Sequence, residues 1–270
     1  MMEQIFNTDL SECTNILYND SPSYSGIVAG ECKGYIWVDN IVNPTLALVY
    51  SFAVGGFSIM GEPNDASVYD DFIEFLRKKL FVELKSKGIN YFEFSVESKG
   101  TENHILKLFS NESMNQEDEY FYRKSCSNEI REMDQYNIIR VDQEFITRLQ
   151  AGKYDNAEFL SERLLESWGS YEQFFRKSVA FVATLEKSIV AVIVGTARYQ
   201  NVIPIDIETK EEHRKKGLAS TLTQYFVNEC VDRGLVAQWD CVDSNIASRS
   251  TVEKVGFTFM KKKPYYWFGI

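Results

Sequence analysis

Two stretches of this chain carry the same apolar rhythm 146 positions apart. Phe72, Leu76, Leu80 and Leu84, closed by Gly88, match Leu218, Leu222, Phe226 and Cys230, closed by Gly234. An apolar residue at every fourth position lays a stripe along one side of a helix, and that stripe needs a sheet or a second helix to cover it. The same offset overlays the flanking apolar runs, 57–60 on 203–206 and 89–96 on 235–242, which read as strands. A strand–helix–strand unit that occurs twice implies an α/β (α+β) fold built as two similar units. Few residues are identical between the copies, so the repeat rests on element order and apolar register. We place the boundary at 125/126, giving units 1–125 and 126–270.

Around this repeat the sequence predicts a helix over 10–19, a loop at Asp20-Ser-Pro-Ser-Tyr-Ser-Gly, and strands at 34–38, 46–54 and 57–60. A helix over 65–87, a strand at 89–96, a helix at 101–109, a polar loop at 111–118 and a strand at 119–123 complete the first unit. In the second, helical pieces at 155–167 and 168–175 precede strands at 180–185, 189–199 and 202–209. A helix over 212–233, a strand at 235–242, a helix at 247–255 and strands at 257–260 and 265–268 follow.

Composition excludes several functions. The chain holds 39 acidic and 29 basic side chains, a formal net charge of −10. That balance disfavours nucleic acid as a partner, since backbone binding needs clustered Lys and Arg. There is no run of about 18 apolar residues to span a bilayer, and no basic-then-apolar leader. Cys13, Cys32, Cys126, Cys230 and Cys241 are odd in number and lack CxxC spacing, as reduced cytoplasmic thiols do. Two histidines, His104 and His213, leave little for a His-rich metal site or a Ser-His-Asp triad, so no metal is expected.

The most informative segment runs from Ile203 to Ser220. A strand leads into Arg214-x-x-Gly217-x-Ala219, where the long helix begins. The first turn of a helix has unpartnered backbone N–H groups, here those of Leu218, Ala219 and Ser220, and the positive end of the helix dipole. A pyrophosphate can sit there if Gly217 and Ala219 let it approach, with Arg214, Lys215 and Lys216 adding charge at the rim. The segment lacks the GxxxxGK[ST] of a P-loop and the GxGxxG of a dinucleotide fold. A second segment, Trp239-Asp-Cys-Val-Asp-Ser-Asn245-Ile-Ala-Ser248 through Glu253-Lys-Val-Gly256-Phe257, places Asn245 as a helix cap and Gly256 at the helix end.

Together these segments resemble the GNAT N-acetyltransferase superfamily, and in detail the subfamily that includes zwittermicin A resistance proteins. The detailed resemblance covers about residues 150–270. It implies tandem GNAT-like mixed sheets flanked by helices with a degenerate N-terminal unit, because Val-Tyr-Asp-Asp-Phe-Ile stands at 68–73 where the offset would place RxxGxA. It also implies acetyl-CoA as co-substrate and direct acetyl transfer to the amine of a small molecule, an amino-bearing antibiotic among the candidates. Backbone groups of Ile207 and Thr209 would bond pantetheine between splayed strands, with Arg214 to Ser220, Asn245 and Ser248 completing cofactor binding. The family's acid tyrosine, seven positions after the asparagine, is Val252 here, and its strand carboxylate is replaced by Ile203-Pro204. Asp206 and Glu208, on one strand face by period two, are the candidate bases, and Tyr265 and Tyr266 candidate acids. Trp168 and Tyr171 fall where the superfamily borders its acceptor. The alternative from a different class is a non-catalytic CoA-binding sensor or scaffold module; a nucleotide-binding protein using the same loop is a third.

Overall fold

The computed structural model describes residues 2–6, 9–130 and 132–270. They form two compact units, one running to Glu119 and taking in Lys263–Ile270, the other Tyr120–Lys262.

The first unit contains β1 (Glu3–Ile5), α1 (Pro22–Val28), β2 (Gly34–Val38), β3 (Leu46–Ser51), β4 (Phe57–Gly61), α2 (Ser67–Phe75), α3 (Phe81–Ser86), β5 (Tyr91–Val96) and α4 (Lys99–Leu108). Strands β1 to β4 pair antiparallel in order, and β4 and β5 pair parallel, as a helical crossover requires. Phe72, Leu76, Leu80 and Leu84 all face the core. A strict spacing of four drifts around an α-helix of 3.6 residues per turn, and the chain corrects this with a wider π-helical stretch at Leu76–Leu80.

Two expectations fail at the N-terminal end. The helix over 10–19 is reduced to a single 3₁₀ turn at Thr14–Ile16, and the expected loop at 20–26 carries α1 instead. Pro22 occupies the first helical position, where its fixed φ and missing N–H cost nothing. Read as a breaker, it is a starter.

The second unit holds the end of β6 (Asn115–Lys124), then β7 (Asn137–Arg140), α5 (Gln143–Gln150), α6 (Glu158–Trp168), α7 (Tyr171–Lys177), β8 (Ala180–Leu185), β9 (Ser188–Gly195), β10 (Val202–Thr209), α8 (Leu218–Asp232), β11 (Val236–Val242), α9 (Ile246–Val255) and the start of β12 (Thr258–Gly269). Strands β7 to β10 pair antiparallel in order, and β10 pairs parallel with β11. This repeats the pattern of β1 to β5, and the matched helices α2–α3 and α8 each follow the matched strand. Leu218, Leu222, Phe226 and Cys230 are buried against the sheet, as the apolar rhythm requires.

Several elements lie outside the sequence expectations, β1 at Glu3–Ile5 among them. β7 and α5 are additional, and β6 begins at Asn115 inside the segment read as a loop. The two strands expected at the C-terminus are one strand, β12, which continues through Pro264. Its first residues belong to the second unit. From Lys263 on it belongs to the first, where Tyr265 to Gly269 pair antiparallel with β5. The last eight residues therefore leave the unit that the 125/126 boundary gave them. Among the described residues, no helix is long and apolar enough to cross a membrane.

Candidate active site

The second unit opens along one edge of β10. Its parallel ladder with β11 runs from Val202/Val236 to Pro204/Gln238, while its antiparallel ladder with β9 continues to Thr209. Pro204 O accepts from Thr196 N at 3.0 Å and Lys210 N donates to Val190 O at 2.9 Å, so the even-numbered residues turn their backbone groups toward β9. Backbone polar groups alternate along a strand, and Ile205, Ile207 and Thr209 therefore turn theirs toward the β11 side, past the end of that ladder. The sequence expectation for Ile207 and Thr209 concerns these same backbone groups. Thr209 also holds a buried hydroxyl with no hydrogen-bond partner. A buried polar atom of that kind marks a place where a bound molecule can supply the missing bond.

The turn after β10 enters the left-handed region twice. Gly217 caps α8 in the left-handed region at φ 89°, and Lys215, two residues earlier, is also left-handed at φ 61°. A lysine with positive φ is uncommon and carries a strain cost, which accumulates at functional turns. Successive turns of this kind gather backbone N–H groups into a concave anion cradle, backed here by the helix dipole. Gly217 O accepts the first helical bond from Thr221 N at 3.0 Å, so the N–H groups of Leu218, Ala219 and Ser220 lie in the helix's open first turn. Arg214 folds back, donating from Nε to Thr209 O at 3.0 Å, while Lys215 and Lys216 are exposed at the rim. His213 accepts or donates at Nδ1 opposite the Tyr136 hydroxyl, 3.0 Å away.

Asn245 caps α9 by accepting from Ser248 N at 3.1 Å, and Ser248 Oγ accepts from Trp239 Nε1 at 2.7 Å. Both side chains thereby fix the start of α9 beside the end of β11. Gly256 closes the helix at φ 81°.

On the opposite face of β10, Asp206 and Glu208 stand side by side, each a little under half exposed, and Arg163 of α6 spans them. Its Nε donates to Asp206 Oδ2 at 2.8 Å, its Nη2 donates to Glu208 Oε2, and its Nη1 donates to Phe159 O at 2.7 Å. Sequence reasoning missed Arg163. Its only signal was its place on a helix expected to lie near the acceptor.

Trp168, expected at the acceptor, is a core residue. It is 2% exposed, and its Nε1 donates to Gly195 O at 2.9 Å. Ser178 Oγ donates to the same carbonyl at 2.6 Å, and a Cβ on Gly195 would collide with Ser178 and Ile203. Tyr171, first residue of α7, is half-buried.

Tyr265 and Tyr266 lie in the first unit. Tyr266 is buried and donates to Glu102 at 2.6 Å; burial first, and then the bond to that carboxylate, push its hydroxyl above the usual tyrosine range. Tyr265 is pushed up to about 12 by burial and by its bond to Glu117. Groups so firmly protonated and tied to carboxylates are poor proton donors at neutral pH.

In the first unit the matching strand runs only two residues past its parallel ladder, where β10 runs five past its own. β4 ends at Gly61, and the β4–β5 ladder runs to Ile59/Val96, with Glu97 N adding a bond to Ile59 O. α2 begins at Ser67 and runs through the place of the left-handed turn, with Asp70 in its first turn. Beside the strand ends, the Glu97 carboxylate accepts from Ser21, Ser58 and Lys263.

A family model described as GNAT acetyltransferase matches residues 18–266. The chain is 29% identical over 130 residues to the uncharacterized N-acetyltransferase YdfB of Bacillus subtilis (strain 168), covering 48% of this chain and 47% of that protein. It thus spans about half the length of this curated relative. Among solved structures, a tandem GNAT protein from the clavulanic acid biosynthesis pathway superposes with a TM-score of 0.61, at 8% identity over 100% of this chain and 98% of that one. A GCN5-related N-acetyltransferase-like protein from Streptococcus suis 89/1591 gives 0.59 at 19% identity, over 87% and 88% of the two chains. At those identities the likeness speaks for the fold, while the family model spans most of the chain. The protein belongs to the GNAT acetyltransferase family.

Proposed function

We propose that this protein is an acetyl-CoA-dependent N-acetyltransferase acting by direct attack on the amine of a small molecule. The observation that carries the reading is the parting of β10 from β11 after Pro204, directly ahead of the left-handed turn at Lys215 and Gly217. Acetyl-CoA supplies an activated acetyl thioester. Leu218, Ala219 and Ser220 N–H, with Arg214, Lys215 and Lys216, would hold its pyrophosphate. The backbone of Ile207 and Thr209 and the orphan Thr209 hydroxyl would bond pantetheine, with Asn245 and Ser248 fixing the second wall.

An alkylamine of pKa about 10 arrives mostly as ammonium and cannot attack until a proton leaves. Asp206 or Glu208 takes that proton. The freed lone pair forms the C–N bond, the C–S bond breaks, and the sulfur or solvent takes the second proton of the amine. A thiol of pKa about 8.5 leaves without an enzymic acid, consistent with Val252 in place of the family's tyrosine. The acceptor is a small-molecule amine bordered by α6 and α7, with Tyr171 at its edge and Trp168 behind the wall. Amino-bearing antibiotics are one class to test, on the resemblance to zwittermicin A resistance proteins.

A second reading is a non-catalytic CoA sensor or scaffold. It draws on Val252, fully buried in the core where an acid would be needed. Thiol release from acetyl-CoA across a panel of primary amines separates the two. Amine-dependent release supports the enzyme, whereas CoA binding without release for any amine supports the sensor.

A further inference from the structure

We propose that Arg163 is a positioning residue for the acceptor reaction: it holds Asp206 and Glu208 as one ionised pair that receives a cationic amine. The proposal rests on the reading above, that one of these carboxylates is the base.

Residues two apart on a strand share a face but stand roughly 7 Å apart, too far to be joined by a single point charge. A planar guanidinium can reach both, with Nε directed at one and Nη2 at the other. Arg163 does this, and Nη1 is anchored on Phe159 O of its own helix. Its guanidinium also lies over the Phe159 ring, 4.9 Å from the centroid, and only 23% of its side chain is exposed. All three nitrogens are committed, so the group cannot swing away without breaking several contacts.

The charge that remains is informative. The ion-paired set holds two carboxylates against one guanidinium, an excess of one negative charge within the set. Each carboxylate spends one oxygen on Arg163, and its second oxygen carries no hydrogen bond among the described residues. These two oxygens are a receptor for one ammonium group. Lys210 also lies close, its Nζ over the same Phe159 ring at 5.8 Å. Opposite the pair on β9 stand Val194 and Val192, which carry none. Arg163 spans the pair from one side, and the second oxygens of the two carboxylates leave room for one cation. The inferred acceptor class is therefore a cationic amine whose ammonium lies against Asp206 and Glu208.

The test uses the full chain with Arg163→Met and Arg163→Lys, assayed at pH 7 with the most responsive amine of the panel. Arg163→Met should lose at least tenfold in kcat/KM for the amine while its affinity for CoA and its melting temperature stay at the parent's. Arg163→Lys, retaining one ion pair, should recover part of that loss. Unchanged kcat/KM in Arg163→Met, or a loss that Arg163→Lys does not recover at all, overturns the proposal and leaves Arg163 as packing. Full activity in both Glu208→Gln and Asp206→Asn overturns the base reading instead, whatever Arg163 does.

Discussion

At the scale of single residues, the parent protein separates groups that carry chemistry from groups that hold shape. If Glu208 or Asp206 is the base, Glu208→Gln or Asp206→Asn should cost ~10²–10⁴-fold in turnover, about 3–5 kcal/mol of barrier. Steady-state assay of each variant checks this, and the true base is the one whose removal also erases the acid limb of the pH profile. Trp168 belongs to the other category. Trp168→Phe removes one hydrogen bond, but Gly195 O keeps its bond from Ser178, so no buried acceptor is orphaned. We expect a loss of about 1 kcal/mol in denaturant unfolding with kcat/KM close to the parent's. A tenfold or larger loss in kcat/KM at unchanged stability would return Trp168 to the acceptor site. Cysteines give a simple control. Burial pushes the Cys230 thiol up to about 12, whereas Cys126 is exposed. Thiol-reactive reagents should label Cys126 in the native protein and reach Cys230 only after unfolding.

How much of this was legible depends on what each residue obeys. Asn245 and Gly217 answer to local rules, a cap and a left-handed turn, and the sequence exposes both. Arg163 acts across elements, bridging a helix and a strand 43 positions away, and nothing in its neighbourhood along the chain marks it.

At the scale of elements, periodicity located most of the core helices and strands, while polar or short pieces escaped. The first half of β6, Asn-Gln-Glu-Asp-Glu, has no apolar alternation and reads as loop. α5 was missed although its signals are present: Asp142 caps Phe145 N at 2.8 Å, and Phe145, Ile146 and Leu149 are buried. Pro264 split β12 on paper because proline cannot donate to a ladder. In the fold it sits immediately before the residues that pair with β5, next to the point where the strand passes between units. The paired segment makes an alkaline prediction. Tyr265 and Tyr266 hold their protons more tightly folded than unfolded, so they stabilise the fold fully below about pH 10. That contribution is lost as pH rises from about 10 through 12. Thermal melts should show Tm falling across this window in the parent, and falling less in Tyr266→Phe. An equal fall in both would remove Tyr266 from the account.

At the scale of the whole molecule, the offset of 146 residues predicts two units of like topology, and the strand pairings of both units agree with it. What the sequence could not show is the exchange at the end of each copy. The strand following α4 ends in the second unit, and the strand following α9 ends in the first. Hydrophobic pattern identifies a strand but does not name its partner, which is why the compact units divide at 119/120 and 262/263 and not at 125/126. Residues 126–270 expressed alone lack β6 and carry a β12 without its β5 partner. They should be insoluble or unfolded by circular dichroism, whereas a cooperative melt of that fragment would argue that the units are independent.

Duplication also bears on the central claim, because the proposed acetyl-CoA site is assigned to the second unit alone. The second unit has the parted strands, the left-handed turn and the open helix terminus. In the first, a strand that ends at Gly61, a helix from Ser67 with Asp70 in its opening turn, and the Glu97–Lys263 network occupy the equivalent place. The most direct measurement is calorimetric titration of the full chain with acetyl-CoA, alongside Gly217→Val, whose branched side chain cannot adopt φ 89° without strain. The account predicts one acetyl-CoA per chain, and no detectable binding in the variant while its fold, by circular dichroism, persists. Two acetyl-CoA per chain, or unchanged affinity in Gly217→Val, would contradict it.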